Sequence, residues 1–355
     1  MSDCFKYRIG LLLGSLSGAG AEKTVLTLAE QLAEIGHEVT LFVLDAKQPD
    51  YTLPKNVSLH SCDQLRTAEA LSHEVRKCNR FDLFILSRAE FYSTGLADKV
   101  VCSVHITPTA WLKKRPFWLG WKTWLQTKKL KSKFFNKELI ALSEGIKQDL
   151  VQNLGCNESQ IQVIPNPFDF KKIRDKVLDS SQIPIPRKPY IIYVAALIPR
   201  KRHDYLLRAF ALLKNKDVNL VLVGKGPEKR RLEALIHDLG IDNRVFFVPW
   251  TNNPYALLYH ASLSVLPSKA EGMPRVLIES LILGTKVVAS DCPSGPNEVL
   301  KGELAKYLVD LHAPLKEFAE TMHSALEDEN FPVSDLTKFE AQSVAKRYLA
   351  LVENE

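Results

Sequence analysis

The sequence predicts an α/β protein made of two doubly wound, parallel-sheet domains. Three observations carry this. Apolar runs of four to seven residues alternate with segments of helical period from Tyr7 to Ala289, the pattern of β-α-β units. The alternation breaks over about Asp175 to Pro189, a stretch rich in Ser, Pro and Lys, and restarts at Tyr190. The 355 residues suffice for two domains, each with its own core. The expected domains are 1–172 and 188–333, with a closing helix over 334–355.

The first half opens with the strand Tyr7–Leu13, the turn Gly14-Ser-Leu-Ser-Gly18-Ala-Gly20 and an amphipathic helix from about Ala21 to Ile35. Gly36 stops that helix and Val39–Leu44 is the next strand. The turn is glycine-rich without the GxGxxG spacing of a dinucleotide site. Its glycines serve either tight strand-to-helix geometry or the approach of a ligand. Further strands are expected at Val57–His60, Leu83–Leu86, Val100–His105, Glu138–Ala141 and Ile161–Ile164. His105 falls at a strand end, where open α/β sheets bind ligands, although a lone histidine there can also be structural.

From Lys99 to Lys137 there are ten Lys or Arg and no acidic residue, so the net charge of +6 is concentrated in one patch. Within it, Trp111–Lys137 (WLKKRPFWLGWKTWLQTKKLKSKFFNK) holds four of the five Trp. Phe117, Trp121 and Trp124 can share one helical face. Aromatic and basic residues on an amphipathic helix suit the headgroup zone of an anionic membrane. Single-stranded nucleic acid could take the same pattern, but one short segment inside an α/β domain argues against nucleic acid as a partner. The alternative is an ordinary helix with its aromatics packed on the core.

The second half restarts with the strand Tyr190–Ala195 and a turn containing Arg200-Lys201-Arg202, then a helix to Leu213. Three adjacent cations can be a solvated face. At the end of the first strand of a nucleotide-binding fold they can instead hold a diphosphate. Val218–Val223 leads into Gly224-Lys-Gly226-Pro and a helix to about Leu239. Val245–Val248 runs into Pro249-Trp250, and Trp250 can equally pack at the edge of the core.

Leu263–Leu266 is followed by a break at Pro267–Gly272, a helix start at Pro274, a helix over Val276–Leu283, a stop at Gly284 and the strand Lys286–Ala289. The amides of Gly272 and Met273 lie where a helix N-terminus offers unpaired N–H groups to a phosphate. Glu271 and Glu279 flank that anion site. Acidic groups beside a phosphate site imply a ligand with hydroxyls as well, and a nucleotide sugar has both. The alternative is that Glu271 complements the helix dipole and Glu279 is a solvated helix residue.

Composition is that of a soluble globular protein. No apolar run approaches the ~20 residues of a membrane span, and no apolar signal segment opens the chain. The six cysteines, Cys4, Cys62, Cys78, Cys102, Cys156 and Cys292, form no CxxC pair. Reduced thiols in a cytoplasmic protein are expected, with no zinc site or disulfide framework.

The Glu271-x7-Glu279 pair in EGMPRVLIE, with Gly284-Thr-Lys-Val-Val-Ala-Ser-Asp291 and Gly295-Pro-Asn-Glu298, resembles the nucleotide-binding half of family 4 glycosyltransferases. The resemblance implies the GT-B architecture, two Rossmann-like domains facing a cleft, with the last helix, about Ser334 to Val352, crossing back onto the first domain. It implies a retaining hexosyltransferase without a metal, in keeping with the lack of an Asp-x-Asp motif in a suitable loop. Lys201 and Arg200 would face the leaving diphosphate with the Gly272 and Met273 amides. Glu271 would hold sugar hydroxyls, Glu279 the ribose, and His105 the donor sugar. Gly18 and Gly20 would face diphosphate and acceptor, Gly224 would approach the nucleotide, and the backbone from Val248 to Trp250 would read the base. Ala195 and Ala196 replace the family's Gly-Arg, so one diphosphate contact passes to Arg200 or Arg202. Asp291-Cys-Pro-Ser-Gly-Pro-Asn-Glu298 is similar to bacterial members that build lipopolysaccharide, capsule or lipid-linked glycans from UDP-sugars. That implies a glycan or lipid-linked acceptor at the inner face of the cytoplasmic membrane, docked through Trp111–Lys137. The sequence leaves three other readings open: a sugar-nucleotide epimerase, a dehydrogenase, and a non-catalytic binding protein.

Overall fold

All paired strands in the described residues run parallel, as short apolar runs joined by helices require. The computed structural model describes residues 6–17, 20–46, 49–63, 65–112, 120–179 and 189–353. The chain divides into two units: Met1–Asp169 with Thr337–Glu355, and Phe170–Leu336.

In unit 1 the strands are β1 (Arg8–Leu13), β2 (Glu38–Val43), β3 (Val57–Ser61), β4 (Leu83–Leu86), β5 (Lys99–Val104), β6 (Leu139–Ala141) and β7 (Ile161–Val163). Their order in the sheet is β3-β2-β1-β4-β5-β6-β7. The connecting helices are α1 (Gly20–Glu34), α2 (Ala68–Arg76), α3 (Gly120–Phe134) and α4 (Glu144–Gln148). Leu11 lies opposite both Leu41 and Ile85, and all three are buried.

Unit 2 begins with α5 (Phe170–Asp175). Its sheet holds β8 (Tyr190–Val194), β9 (Asn219–Val223), β10 (Val245–Val248), β11 (Leu263–Leu266), β12 (Val287–Asp291) and β13 (Leu308–Asp310), in the order β10-β9-β8-β11-β12-β13. Its helices continue with α6 (His203–Ala211), α7 (Lys229–Asp238), α8 (Tyr255–Tyr259), α9 (Arg275–Ile282), α10 (Pro296–Val299) and α11 (Leu315–Glu327). In α5, Ile173 is buried and Arg174 donates to the Ile282 carbonyl at the end of α9. These contacts group 170–175 with the second unit.

The last helix, α12 (Ala341–Glu353), packs on α1 and joins the unit 1 core through Val344, Ala345, Tyr348 and Leu349. Burying side chains such as Val344 and Leu349 contributes about 1.5–3 kcal/mol each. The helix starts at Ala341 and not near Ser334, because the chain before it forms a short 3-10 turn, Thr337–Phe339, and pairs with Phe168 at Glu340. Phe168 N donates to the Phe339 carbonyl at 2.8 Å, and Ala341 N to the Phe168 carbonyl at 2.9 Å.

In both sheets the first strand of the unit is central, and the winding reverses beside it: between β1 and β4 in unit 1, between β8 and β11 in unit 2. Loops leaving the strand ends diverge there and open a crevice.

Candidate functional site

In unit 2 the loops after β8 and β11 meet at the reversal point and carry the expected site. The chain leaves β8 through a short 3-10 turn, Pro199–Lys201, and Arg202 closes it in the left-handed region (φ 52°) before α6 begins. Tyr193, fully buried on β8, fixes this turn by donating to the Lys201 carbonyl at 2.9 Å, and its hydroxyl lies 3.2 Å from Ser268 Oγ. Lys201 Nζ thereby reaches Glu271 Oε1 at 2.5 Å. Both side chains are largely buried, 16% and 9% exposed. A desolvated pair of this kind is held in place by its surroundings, because desolvation offsets much of its mutual attraction.

The loop bearing Glu271 is pinned from the β12 side. Ser294 Oγ donates to the Glu271 carbonyl at 2.9 Å, with that of Gly272 3.4 Å away. Gly295 follows with φ 94°, and a Cβ there would lie 2.6 Å from both Gly272 O and Pro274 Cδ. Only glycine meets both demands. Pro274 is the N-cap of α9, one position before the first helical residue, so the Gly272 and Met273 amides belong to the loop entering the helix.

Glu279 is 2% exposed, so the solvated-face alternative does not hold. Its Oε1 accepts from Tyr255 Oη at 3.4 Å and lies 3.5 Å from Arg275 Nη2. Of the two arginines beside Lys201, Arg200 lies next to the glutamate loop, donating to the Ala270 carbonyl at 3.4 Å. Arg202 instead stacks on Tyr205, 3.8 Å from the ring centre, and donates to the Leu311 carbonyl.

Gly224 admits the Ala195 carbonyl oxygen, which would lie 2.0 Å from an added Cβ, so its first role is loop-to-loop packing. Its amide donates to the Val248 carbonyl at 3.0 Å. Trp250 is half-buried with Lys225 Nζ 4.7 Å from its ring centre. His203, the first residue of α6, is buried against Tyr193 with ring centres 4.7 Å apart. Burial, then the nearby Lys201 charge, push its pKa down to about 4.

In unit 1 the reversal point opens into a cavity of about 940 Å³, lined by Gly14, Glu22, Ser87, Arg88, His105 and Lys133 among others. His105 directly follows β5. Burial pushes its pKa down to about 4, so the imidazole is neutral at pH 7. Its Nε2 is buried and has no hydrogen-bond partner among the described residues. Gly20 opens α1, and Gly18 lies outside the described residues. Glu22, in the first turn of α1, carries no signal in the sequence beyond its place after the glycine-rich turn. Among the described residues no cluster of three His, Cys, Asp or Glu side chains is placed to hold a metal ion.

On α3, Trp121 and Trp124 are 57% and 60% exposed, so these aromatics do not pack on the core. Lys122 lies over Trp121, Lys128 over Trp124 and Lys131 over Phe135, each with its ammonium 5.1–5.3 Å from the ring centre. Phe117 lies outside the described residues. Among the described residues no helix is long and apolar enough to cross a membrane.

Residues 18–172 match the family Glycosyltransferase Family 4, and residues 176–340 match Glycosyl transferases group 1. One relative is the N-acetylgalactosamine-N,N'-diacetylbacillosaminyl-diphospho-undecaprenol 4-alpha-N-acetylgalactosaminyltransferase of Campylobacter jejuni. It is 28% identical over 327 residues, 86% of each chain. The lipopolysaccharide 1,6-galactosyltransferase of Escherichia coli K12 is 31% identical over 178 residues, 48% of this chain and 47% of that one. Among solved structures, Anabaena HepE in complex with UDP and glucose aligns with a TM-score of 0.74 at 17% identity, over 98% of both chains. At that identity the likeness shows the fold.

Proposed function

Because the chain belongs to the glycosyltransferases, joining a Family 4 segment to a group 1 segment on a GT-B fold, we propose that it moves a hexose from a UDP-sugar to a hydroxyl of a glycan or lipid-linked glycan, with retention of anomeric configuration. The observation that carries this reading is the buried Lys201–Glu271 pair at the reversal point of unit 2. The difficulty of the reaction is charge: the sugar becomes oxocarbenium-like while the departing diphosphate gains negative charge.

Lys201, Arg200 and the Gly272 and Met273 amides stabilise the diphosphate, electrostatic work worth most where water is excluded. Glu271 orients the sugar through its hydroxyls while holding the lysine. Glu279 takes the ribose hydroxyls, and the loop after β10, through Trp250, flanks the base. No residue is assigned as covalent nucleophile. The acceptor attacks the face that the diphosphate leaves, and the diphosphate takes its proton.

UDP as the nucleotide is supported by the complexes of the Anabaena neighbour with UDP and glucose and with UDP-glucose. A lipid-linked glycan acceptor is supported by the Campylobacter relatives, whose names contain diphospho-undecaprenol and PP-undecaprenol. Docking on an anionic membrane is supported by the exposed Trp121 and Trp124 among the lysines of α3.

Thermal unfolding with and without ligand tests the reading. UDP at 100 times its Kd adds about 2.7 kcal/mol and raises Tm by several degrees, whereas NAD leaves Tm unchanged. A screen of UDP-, GDP- and ADP-hexoses for nucleotide release then identifies the donor. Protection by NAD and none by UDP would reject the transferase, and a free epimer formed without acceptor would replace it with the isomerase.

A further inference from the structure

We propose that Arg275 and Tyr255 are positioning residues that set the Glu279 carboxylate for a ribose, so that the site selects ribonucleotides over their deoxy forms. This rests on the reading of Glu279 as the group that takes the ribose hydroxyls; the contacts stand without it. Both fall on one oxygen. Tyr255 Oη donates to Glu279 Oε1 at 3.4 Å, and Arg275 Nη2 lies 3.5 Å from the same atom. The side chains of Arg275 and Glu279 are 8% and 3% exposed, and Tyr255 is buried with them. A carboxylate held this way cannot swing about its side-chain bonds without losing two partners at once.

Helix stability does not account for the arginine. Arg275 is the first residue of α9, where the positive end of the helix dipole disfavours a cation and favours an acid. An ion pair along a helix is also weaker with the cation four residues before the carboxylate than in the opposite order. Because the pair is buried, desolvation offsets much of its attraction. What the arginine supplies is a counter-charge for a nearly dry carboxylate, which would be costly to bury alone. Tyr255 adds a tie from another element. It opens α8, and its amide donates to Asn253 Oδ1 at 3.4 Å. It therefore joins the segment following Trp250 to the helix that carries Glu279. A site built to bond a hydroxyl rejects the analogue that lacks it, as long as the bonding group does not move.

The test is calorimetric titration of UDP and of 2′,3′-dideoxyuridine diphosphate into the full chain, comparing wild type with Arg275→Met, Arg275→Lys and Tyr255→Phe. Wild type should bind UDP about tenfold more tightly than the dideoxy analogue, or better, the scale for a hydrogen bond to a charged group. That ratio should fall to about twofold in Arg275→Met and about threefold in Tyr255→Phe. Arg275→Lys, which keeps the charge but not the planar fork, should retain about fivefold. The dideoxy analogue should bind every variant as it binds wild type, because it brings no hydroxyl to Glu279. A merely structural role would weaken both nucleotides together. An unchanged ratio in Arg275→Met overturns the proposal, as does an unchanged ratio in both Arg275→Lys and Tyr255→Phe should Arg275→Met fail to fold. A loss shared equally by the two nucleotides also overturns it and assigns Arg275 to the diphosphate or to the fold. A wild type that binds both nucleotides equally rejects the ribose role and keeps the nucleotide site. A wild type that binds neither rejects the transferase reading as well.

Discussion

The two units share one topology and one place for a site, yet they prepare it in opposite ways. At the reversal point of unit 2 the charged groups answer one another: Lys201 with Glu271, Arg275 with Glu279, and Ser294 on the carbonyls of the glutamate loop. At the same point of unit 1, Glu22 Oε2 and His105 Nε2 are buried and unanswered among the described residues. A site whose groups are paired before the ligand arrives is preorganised for charge that develops during reaction. In the proposed reaction the first would hold the diphosphate of the donor.

The largest effect expected from this contrast lies at the unit 2 pair. Lys201→Ala removes the cation from the diphosphate and leaves Glu271 buried without it. Turnover should fall by about 10²-fold or more. Stability should fall as well, by about 3–5 kcal/mol, the scale for breaking a buried pair. Glu271→Ala should match it in turnover. Glu279→Ala should mainly raise the KM for donor, because the ribose is held alike in ground and transition states. Initial rates and Tm measured together check this, and wild-type turnover in Lys201→Ala would break the contrast.

Acid titration reads one buried histidine in each unit. His105 and His203 are both pushed down to about 4 by burial, against an ordinary value of 6.5. Between roughly pH 6.5 and pH 4 the unfolded chain therefore binds more protons than the folded one. Stability falls as pH drops through that window and is fully present above it. Each group contributes up to about 1.4 kcal/mol per pH unit. His203→Phe fills a site that is 2% exposed and already packed on Tyr193. Urea midpoints at pH 7 and 4.5 should differ less in that variant than in wild type. An equal difference would mean that His203 does not titrate with folding.

Much of this was legible in the sequence because doubly wound folds write themselves in apolar runs and glycine stops. Lys201 and Glu271 could be found because each follows a strand in a loop of recognisable composition. What stayed hidden has physical causes. The three-residue β13 is too short to show a period, and the last helix starts at Ala341 instead of about Ser334 because the chain before it pairs with Phe168. That Arg200 and not Arg202 lies beside the glutamate loop turns on a left-handed residue, Arg202, which stacks on Tyr205. Nothing in the composition around Glu22 says that one of its oxygens is buried.

The smallest expected effect lies on α3 of unit 1. Lys128 sits over Trp124 and Lys131 over Phe135, on exposed aromatics. Each lysine near an anionic bilayer is worth about 1 kcal/mol, so Lys128→Gln or Lys131→Gln should each weaken binding to anionic vesicles about fivefold. Neutral vesicles should show almost no change, and about 0.5 M salt should erase the difference by screening. Unit 2 supplies the matched control: Lys229 also sits over an aromatic ring, that of Phe247 at 5.6 Å. Lys229→Gln removes the same charge from the other unit and should leave flotation unchanged. Equal losses from both units would mean that the vesicles read the net positive charge of the chain, and α3 would then be no special docking face.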